Sequence, residues 1–158
     1  MEYRFTPWRS AYIQRAHKQT GCIFCKAKRS KNDRQAGVVL RGEHCFVVLN
    51  KYPYNSGHVM VVPYQHLDQL QKLSPAAAHE LIDLSQRVES ALRQAYKAAG
   101  INLGMNIGDC AGAGVVGHIH MHVLPRWTGD TNFMTTVAQV KVLPETLDQT
   151  YKKLKAAL

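Results

Sequence analysis

Hydrophobic positions recur along the chain at two spacings, and the change of spacing marks out the elements. Leu81, Leu84, Val88, Leu92 and Ala95 follow one another at intervals of three and four, which is one face of a helix. Ser74 as cap, Pro75 in the first turn and Gly100 beyond the end bracket that helix. Elsewhere the apolar residues come in short valine-rich runs. Gly37 to Arg41 and Cys45 to Asn50 predict two strands of a hairpin turning at Gly42-Glu43. Val59-Met60-Val61-Val62 predicts a third, which ends at Pro63 because proline has no N–H for a central ladder. Ile101 to Ile107 and His118 to Leu124 predict two more, joined by a glycine-rich loop.

Thr6 and Pro7 start a short helix running to about Lys18, the polar stretch Lys26 to Gln35 reads as a loop, and Pro144 to Leu158 reads as a terminal helix. Strands, then a long helix, then more strands predict an α+β fold. Its sheet is mainly antiparallel, of about five strands, with one long helix and terminal helices. No internal repeat or low-complexity stretch interrupts the chain, and its 158 residues suit a single domain.

Composition narrows the setting. With 46% hydrophobic residues the chain can fill a core, yet no apolar run approaches the roughly 20 residues that span a bilayer. Met1-Glu2-Tyr3-Arg4 lacks the charged-then-apolar order of a secretion signal, so the expectation is a cytoplasmic protein with no membrane partner. A formal charge of +9 favours anionic partners: phosphorylated small molecules, nucleic acids or acidic lipid surfaces. The basic run Lys26 to Lys31 reads as a solvated loop. Of the four cysteines, Cys22 and Cys25 have the two-residue gap of metal sites, and Cys45 and Cys110 read as core and loop thiols.

The chemistry concentrates in Gly117-His118-Ile119-His120-Met121-His122-Val123-Leu124. Strand side chains alternate between faces, so the three histidines share one face, left free for chemistry, and Ile119, Met121 and Val123 pack on the other. Two chemistries suit the row. His118 and His120 could converge on one metal ion, although His122 would stand about 13 Å from His118 along the strand. Alternatively, a neutral imidazole can attack phosphorus and form a phosphoramidate that a second acceptor discharges. The upstream loop Gly108 to Gly114 suits phosphate, because glycines let backbone N–H groups approach its oxygens.

The segment His118-Ile119-His120-Met121-His122-Val123-Leu124 resembles the signature of the histidine triad superfamily. Cys22-Ile23-Phe24-Cys25, the run Ser56 to His66, and Asn106-Ile107-Gly108 are similar to its other blocks in the same order. The likeness covers about Gly21 to Trp127, dividing the chain into an N-terminal helical extension (1–20), a core (21–127) and a C-terminal segment (128–158). It implies a homodimer that transfers the α-phosphoryl group of a nucleotide to the middle histidine, His120. It further implies that His122 contacts the scissile phosphate and aids the leaving group. Asn106 and the backbone of Gly112, Ala113, Gly114 and Val115 would hold its nonbridging oxygens, Asn50 the ribose, and His58 would support the triad. The branch with an N-terminal C-x-x-C implies a structural zinc on Cys22, Cys25, His66 and His118.

Hydrolase branches place glutamine four residues before the first triad histidine, where this chain has Gly114. The blocks Thr6 to Ile13, Ala111-Gly112 and Pro125 to Met134 resemble the bacterial diadenosine tetraphosphate phosphorylases instead. There inorganic phosphate discharges the nucleotidyl-histidine to give ADP and ATP. The expected activity is therefore cleavage of dinucleoside polyphosphates by phosphorolysis, with hydrolysis of these or of nucleoside phosphoramidates as the alternative. Phe46, Tyr52, Tyr54 and Trp8 are candidates to enclose the adenine. Two readings from other classes are a zinc-stabilised nucleic-acid binder using the +9 charge and a metallohydrolase using His118 and His120. Neither accounts for the whole histidine row.

Overall fold

The computed structural model describes residues 21–130 and 143–158. The helix expected from Thr6 to Lys18, Trp8 and the end of the motif reaching Met134 lie outside the described residues. Five strands form one antiparallel sheet in the order β1-β2-β3-β5-β4: β1 (Val38–Arg41), β2 (Cys45–Leu49), β3 (Val59–Pro63), β4 (Gly100–Gly104) and β5 (Met121–Arg126). Helices α1 (Ile23–Arg29) and α2 (Asp33–Ala36) precede β1, α3 (Pro75–Tyr96) links β3 to β4, and α4 (Leu147–Ala157) closes the described chain.

Every residue of β2 and β3 is buried, so the sheet is covered on both faces. On one face Val47, Leu49, Val59, Val61 and Val123 pack under Leu81, Leu84, Val88 and Leu92 of α3 and Leu154 of α4. On the other, Val38, Phe46, Val48, Met60 and Val62 pack under Phe24 of α1. Phe46 is fully buried and stacks on Tyr64, which makes it core, whereas Tyr52 and Tyr54 are exposed. No helix among the described residues is long and apolar enough to cross a membrane.

The hairpin of β1 and β2 forms as expected, with Gly42 N–H donating to the Cys45 carbonyl. Glu80 of α3 fastens its turn, accepting N–H bonds from Glu43, His44 and Cys45. The Ser74 side chain caps α3 as read from the sequence. The helix stops at Tyr96, however, with Lys97 rather than Gly100 in the left-handed conformation, and Gly100 opens β4. The segment Lys26 to Gln35 is not a loop. Phe24 and Ala27 lie on the same helical face against the sheet, and Asn32 and Gly37 then cap α2 at its two ends.

The strand expected over His118 to Leu124 begins only at Met121. Its ladder with β3 ends at the Val61–Met121 pair, since the next bonding position on β3 is Pro63, which has no N–H to offer Ile119. The Ile119 amide donates to Leu67 O at 2.7 Å instead. His118 and His120 thus stand on an extended segment just before the strand, tied to the chain that leaves β3.

Candidate active site

Pairing of Met60 with His122 puts the histidine row on the face covered by α1, not on an open one. His118 is fully buried and His120 is 3% exposed, while His122 is half-buried. The Phe24 ring lies 5.4 Å from the His118 ring and 4.9 Å from the His120 ring. His120 and His122 meet edge to face at 4.8 Å.

Hydrogen bonds fix which nitrogen of each ring carries the proton. His120 Nδ1 lies 2.9 Å from the carbonyl of His118, an acceptor only, so Nδ1–H donates and the Nε2 lone pair is free. The backbone N–H of Tyr54 donates to His58 Nδ1 at 3.1 Å, which puts the His58 proton on Nε2. That proton bonds His122 Nδ1 at 2.9 Å and leaves the His122 proton on Nε2. The row therefore offers an unprotonated nitrogen on His120 beside an N–H on His122. Burial holds His120 below the ordinary histidine pKa, and burial with the neighbouring His120 takes His122 down to about 4. Both rings are neutral at pH 7, as a phosphorus nucleophile and a neutral donor require.

Asn50 is held in place at its turn. Its Oδ1 accepts from Tyr52 N–H at 2.9 Å, its Nδ2 lies 3.3 Å from His58 Nδ1, and its backbone N–H donates to the His58 carbonyl. The sheet places Gly104 opposite His122, with open space where a Cβ would stand, and Asn106 follows half-buried. In the glycine-rich loop, Gly112 N–H donates to Asp109 O at 2.8 Å and Ala113 N–H to Gly108 O at 3.3 Å. The amides of Gly114 and Val115 make no backbone hydrogen bond among the described residues and are the ones available to an anion. Cys110 is exposed in the same loop and Cys45 is buried in the core.

A second cluster adjoins the row. The ligand atoms of Cys22, Cys25, His66 and His118 all lie within 4.8 Å of one another, and this group could hold a metal ion. Cys22 Sγ is 3.3 Å and Cys25 Sγ 3.9 Å from His118 Nδ1, Cys25 Sγ is 3.4 Å from His66 Nδ1, and the two Nδ1 atoms are 3.2 Å apart. Tetrahedral zinc, with bonds of about 2.3 Å to sulfur and about 2.05 Å to nitrogen, separates such atoms by about 3.6 Å (S to N) and about 3.3 Å (N to N). The residues present fit. His118 Nε2–H donates to Pro63 O at 2.9 Å, leaving Nδ1 unprotonated toward the cluster, as a ligating histidine needs. Burial raises the Cys22 thiol and lowers His118, and a cation entering the cluster would displace thiol protons.

The HIT domain profile matches residues 31–129. The chain belongs to the HIT domain family. An AP-4-A phosphorylase of Mycobacterium tuberculosis is 40% identical over 123 residues, which is 78% of this chain and 63% of that protein. The chain thus spans less than two thirds of that relative's length. An uncharacterized HIT-like protein of Methanocaldococcus jannaschii is 32% identical over 136 residues, covering 85% of this HIT chain and 98% of its relative. A Zn-bound histidine triad family protein from Mycobacterium smegmatis superposes with a TM-score of 0.71 at 27% identity, over 87% of this chain and 92% of that one.

Sequence reasoning missed two features of this HIT site. The order Tyr54 N–H to His58 to His122 sets a tautomer, which depends on how the turn at Pro53 to Gly57 folds and has no pattern in sequence. Phe24, read only as part of the Cys22 to Cys25 block, lies against two of the three triad rings.

Proposed function

We propose that this HIT protein cleaves dinucleoside polyphosphates through a nucleotidyl-histidine on His120, with diadenosine tetraphosphate as substrate and inorganic phosphate as acceptor. The observation that carries the reading is the pair of fixed tautomers: a free Nε2 lone pair on His120 next to a neutral His122 that holds its proton on Nε2. His120 Nε2 attacks the α-phosphorus, a P–N bond forms, and the P–O bond to the leaving nucleotide breaks as His122 Nε2–H donates to it. A phosphate oxygen then attacks the same phosphorus, the P–N bond breaks, and ADP leaves beside the ATP released first. Asn106 and the amides of Gly114 and Val115 hold the nonbridging oxygens. Asn50 contacts the ribose, and Gly112 and Ala113 shape the loop.

On this reading residues 21–127 are the catalytic core, flanked by 1–20 and 128–158, in a cytoplasmic enzyme that uses neither nucleic acid nor membrane as partner. Zinc on Cys22, Cys25, His66 and His118 is structural, because four protein ligands leave no open position. When bound it supplies a fixed cross-link between α1 and the segment before β5. A homodimer is part of the same reading: β4 is a sheet edge with Leu103 49% exposed, and light-scattering mass in solution measures it.

The acceptor follows from Gly114, which provides room where hydrolase branches carry a glutamine. Incubation of the protein with diadenosine tetraphosphate, with and without inorganic phosphate, separates the outcomes by product chromatography. ADP and ATP formed only when phosphate is present is the expected result. AMP and ATP formed equally without phosphate would show hydrolysis and overturn the choice of acceptor.

A further inference from the structure

We propose that Phe24 is the positioning residue through which the Cys22, Cys25, His66 and His118 ligand set orders the imidazole of His120. The inference rests on the reading of His120 as nucleophile.

Helix α1 has 7 residues, too few to persist without outside support. Its C-terminal half is held by Arg41, whose guanidinium donates to the carbonyls of Ala27, Lys28 and Ser30, and by Lys28 Nζ on the Tyr64 carbonyl. The first turn is anchored differently. Cys22 is the N-cap residue, yet its side chain makes no capping hydrogen bond and turns to His118 Nδ1 at 3.3 Å. Cys25 reaches His66 and His118 from the next turn. Phe24 thus sits between two residues that reach the ligand set.

The ring so placed is 2% exposed and meets both His118, at 76° between planes, and His120, at 49°. Among the described residues His120 has one ring hydrogen bond, Nδ1–H to the His118 carbonyl, which fixes one atom and leaves the ring able to swing about it. The rings of Phe24 and His122 both lie against it and limit that swing. Two of the three restraints on His120 therefore originate in the ligand set: the carbonyl belongs to His118, and the Phe24 ring lies between Cys22 and Cys25. Nucleophilic attack on phosphorus needs Nε2 held on line, and misplacement by about 1 Å can cost about 100-fold in rate. Filling the core alone would make Phe24 matter for stability and leave kcat unchanged. A base-contacting role would make it matter for KM.

The test compares Phe24→Leu, Phe24→Ala and the control Val38→Ala, which loses volume from the same buried cluster away from the histidines. Steady-state kinetics with diadenosine tetraphosphate and phosphate are read together with nuclear magnetic resonance of 15N-histidine-labelled protein. Expected is a fall in kcat of about 10-fold in Phe24→Leu and about 100-fold in Phe24→Ala, with KM nearly constant and Val38→Ala near wild type. The His120 ring nitrogens should pass from a single Nδ1–H tautomer in wild type toward an average of two in Phe24→Ala. Chelation of wild type should give the same His120 signature and add little in Phe24→Ala, because both act on one restraint. Unchanged kcat and unchanged His120 signals in folded Phe24→Leu would overturn the proposal. So would a loss confined to KM, or an equal loss in Val38→Ala. If wild type turns over no dinucleoside polyphosphate, the reading of function fails, while the His120 signals still decide the positioning role.

Discussion

Replacing His120 by alanine is expected to cut turnover of diadenosine tetraphosphate by about 10,000-fold or more, the scale seen when an attacking group is removed and only binding and charge stabilisation remain. The fold should survive. His120 packs against Phe24 and His122, so the substitution opens a small void and removes one hydrogen bond, at a cost of about 1–3 kcal/mol. The ligand atoms of Cys22, Cys25, His66 and His118 are untouched by the change, so bound metal should stay at the wild-type level. Nucleotide affinity should change little, since the amides of Gly114 and Val115 that we propose hold phosphate, and the His122 N–H, remain. Turnover within about tenfold of wild type, in protein shown by calorimetry to be folded, would remove His120 from the mechanism. A nucleic-acid-binding module would be indifferent to the change, and a metallohydrolase would lose activity together with its metal.

Loss of the proposed metal centre should produce the second large effect. Cys25→Ala, or chelation of wild type, removes a cross-link between α1 and the segment before β5, and leaves the fully buried His118 facing His66 with no cation between them. Structural metal sites contribute free energy to folding in proportion to their affinity, and several kcal/mol is expected here. In a chain of this size that lowers the melting temperature by about 10 °C. Calorimetry alongside elemental analysis of the purified protein checks this. Metal bound in equal amount to wild type and Cys25→Ala would show that the ion sits elsewhere. An equal melting temperature with and without the ion would deny it a structural role.

The histidine row was legible in sequence because strand periodicity is local: alternation alone puts His118, His120 and His122 on one face. Their surroundings were not. Whether that face is open depends on α1, and the charge run from Lys26 to Lys31 conceals the Phe24 and Ala27 face that packs on the sheet. The row leaves the ladder at Met121 because of Pro63 on the neighbouring strand, a long-range effect that single-strand patterning cannot express. The residue that ends α3, lying before the Gly100 read as beyond it, was hidden for a related reason. Gly100 has the conformational freedom of a helix stop, yet Lys97 takes the left-handed position and the chain needs the following residues for β4. The five-strand antiparallel sheet, the hairpin at Gly42 and the Ser74 cap followed from sequence because each rests on neighbouring residues alone. His66 came into the metal cluster only by resemblance, since no local spacing links it to Cys22 and Cys25.

The most direct measurement of the covalent step is mass spectrometry of the protein mixed with diadenosine tetraphosphate in the absence of phosphate and quenched in alkali, where a phosphoramidate survives and an acyl phosphate does not. A mass gain of one adenylyl group, located on the peptide bearing His120 and lost on adding phosphate before the quench, is the predicted result. Full turnover with no adduct, or an adduct on any other residue, would contradict it.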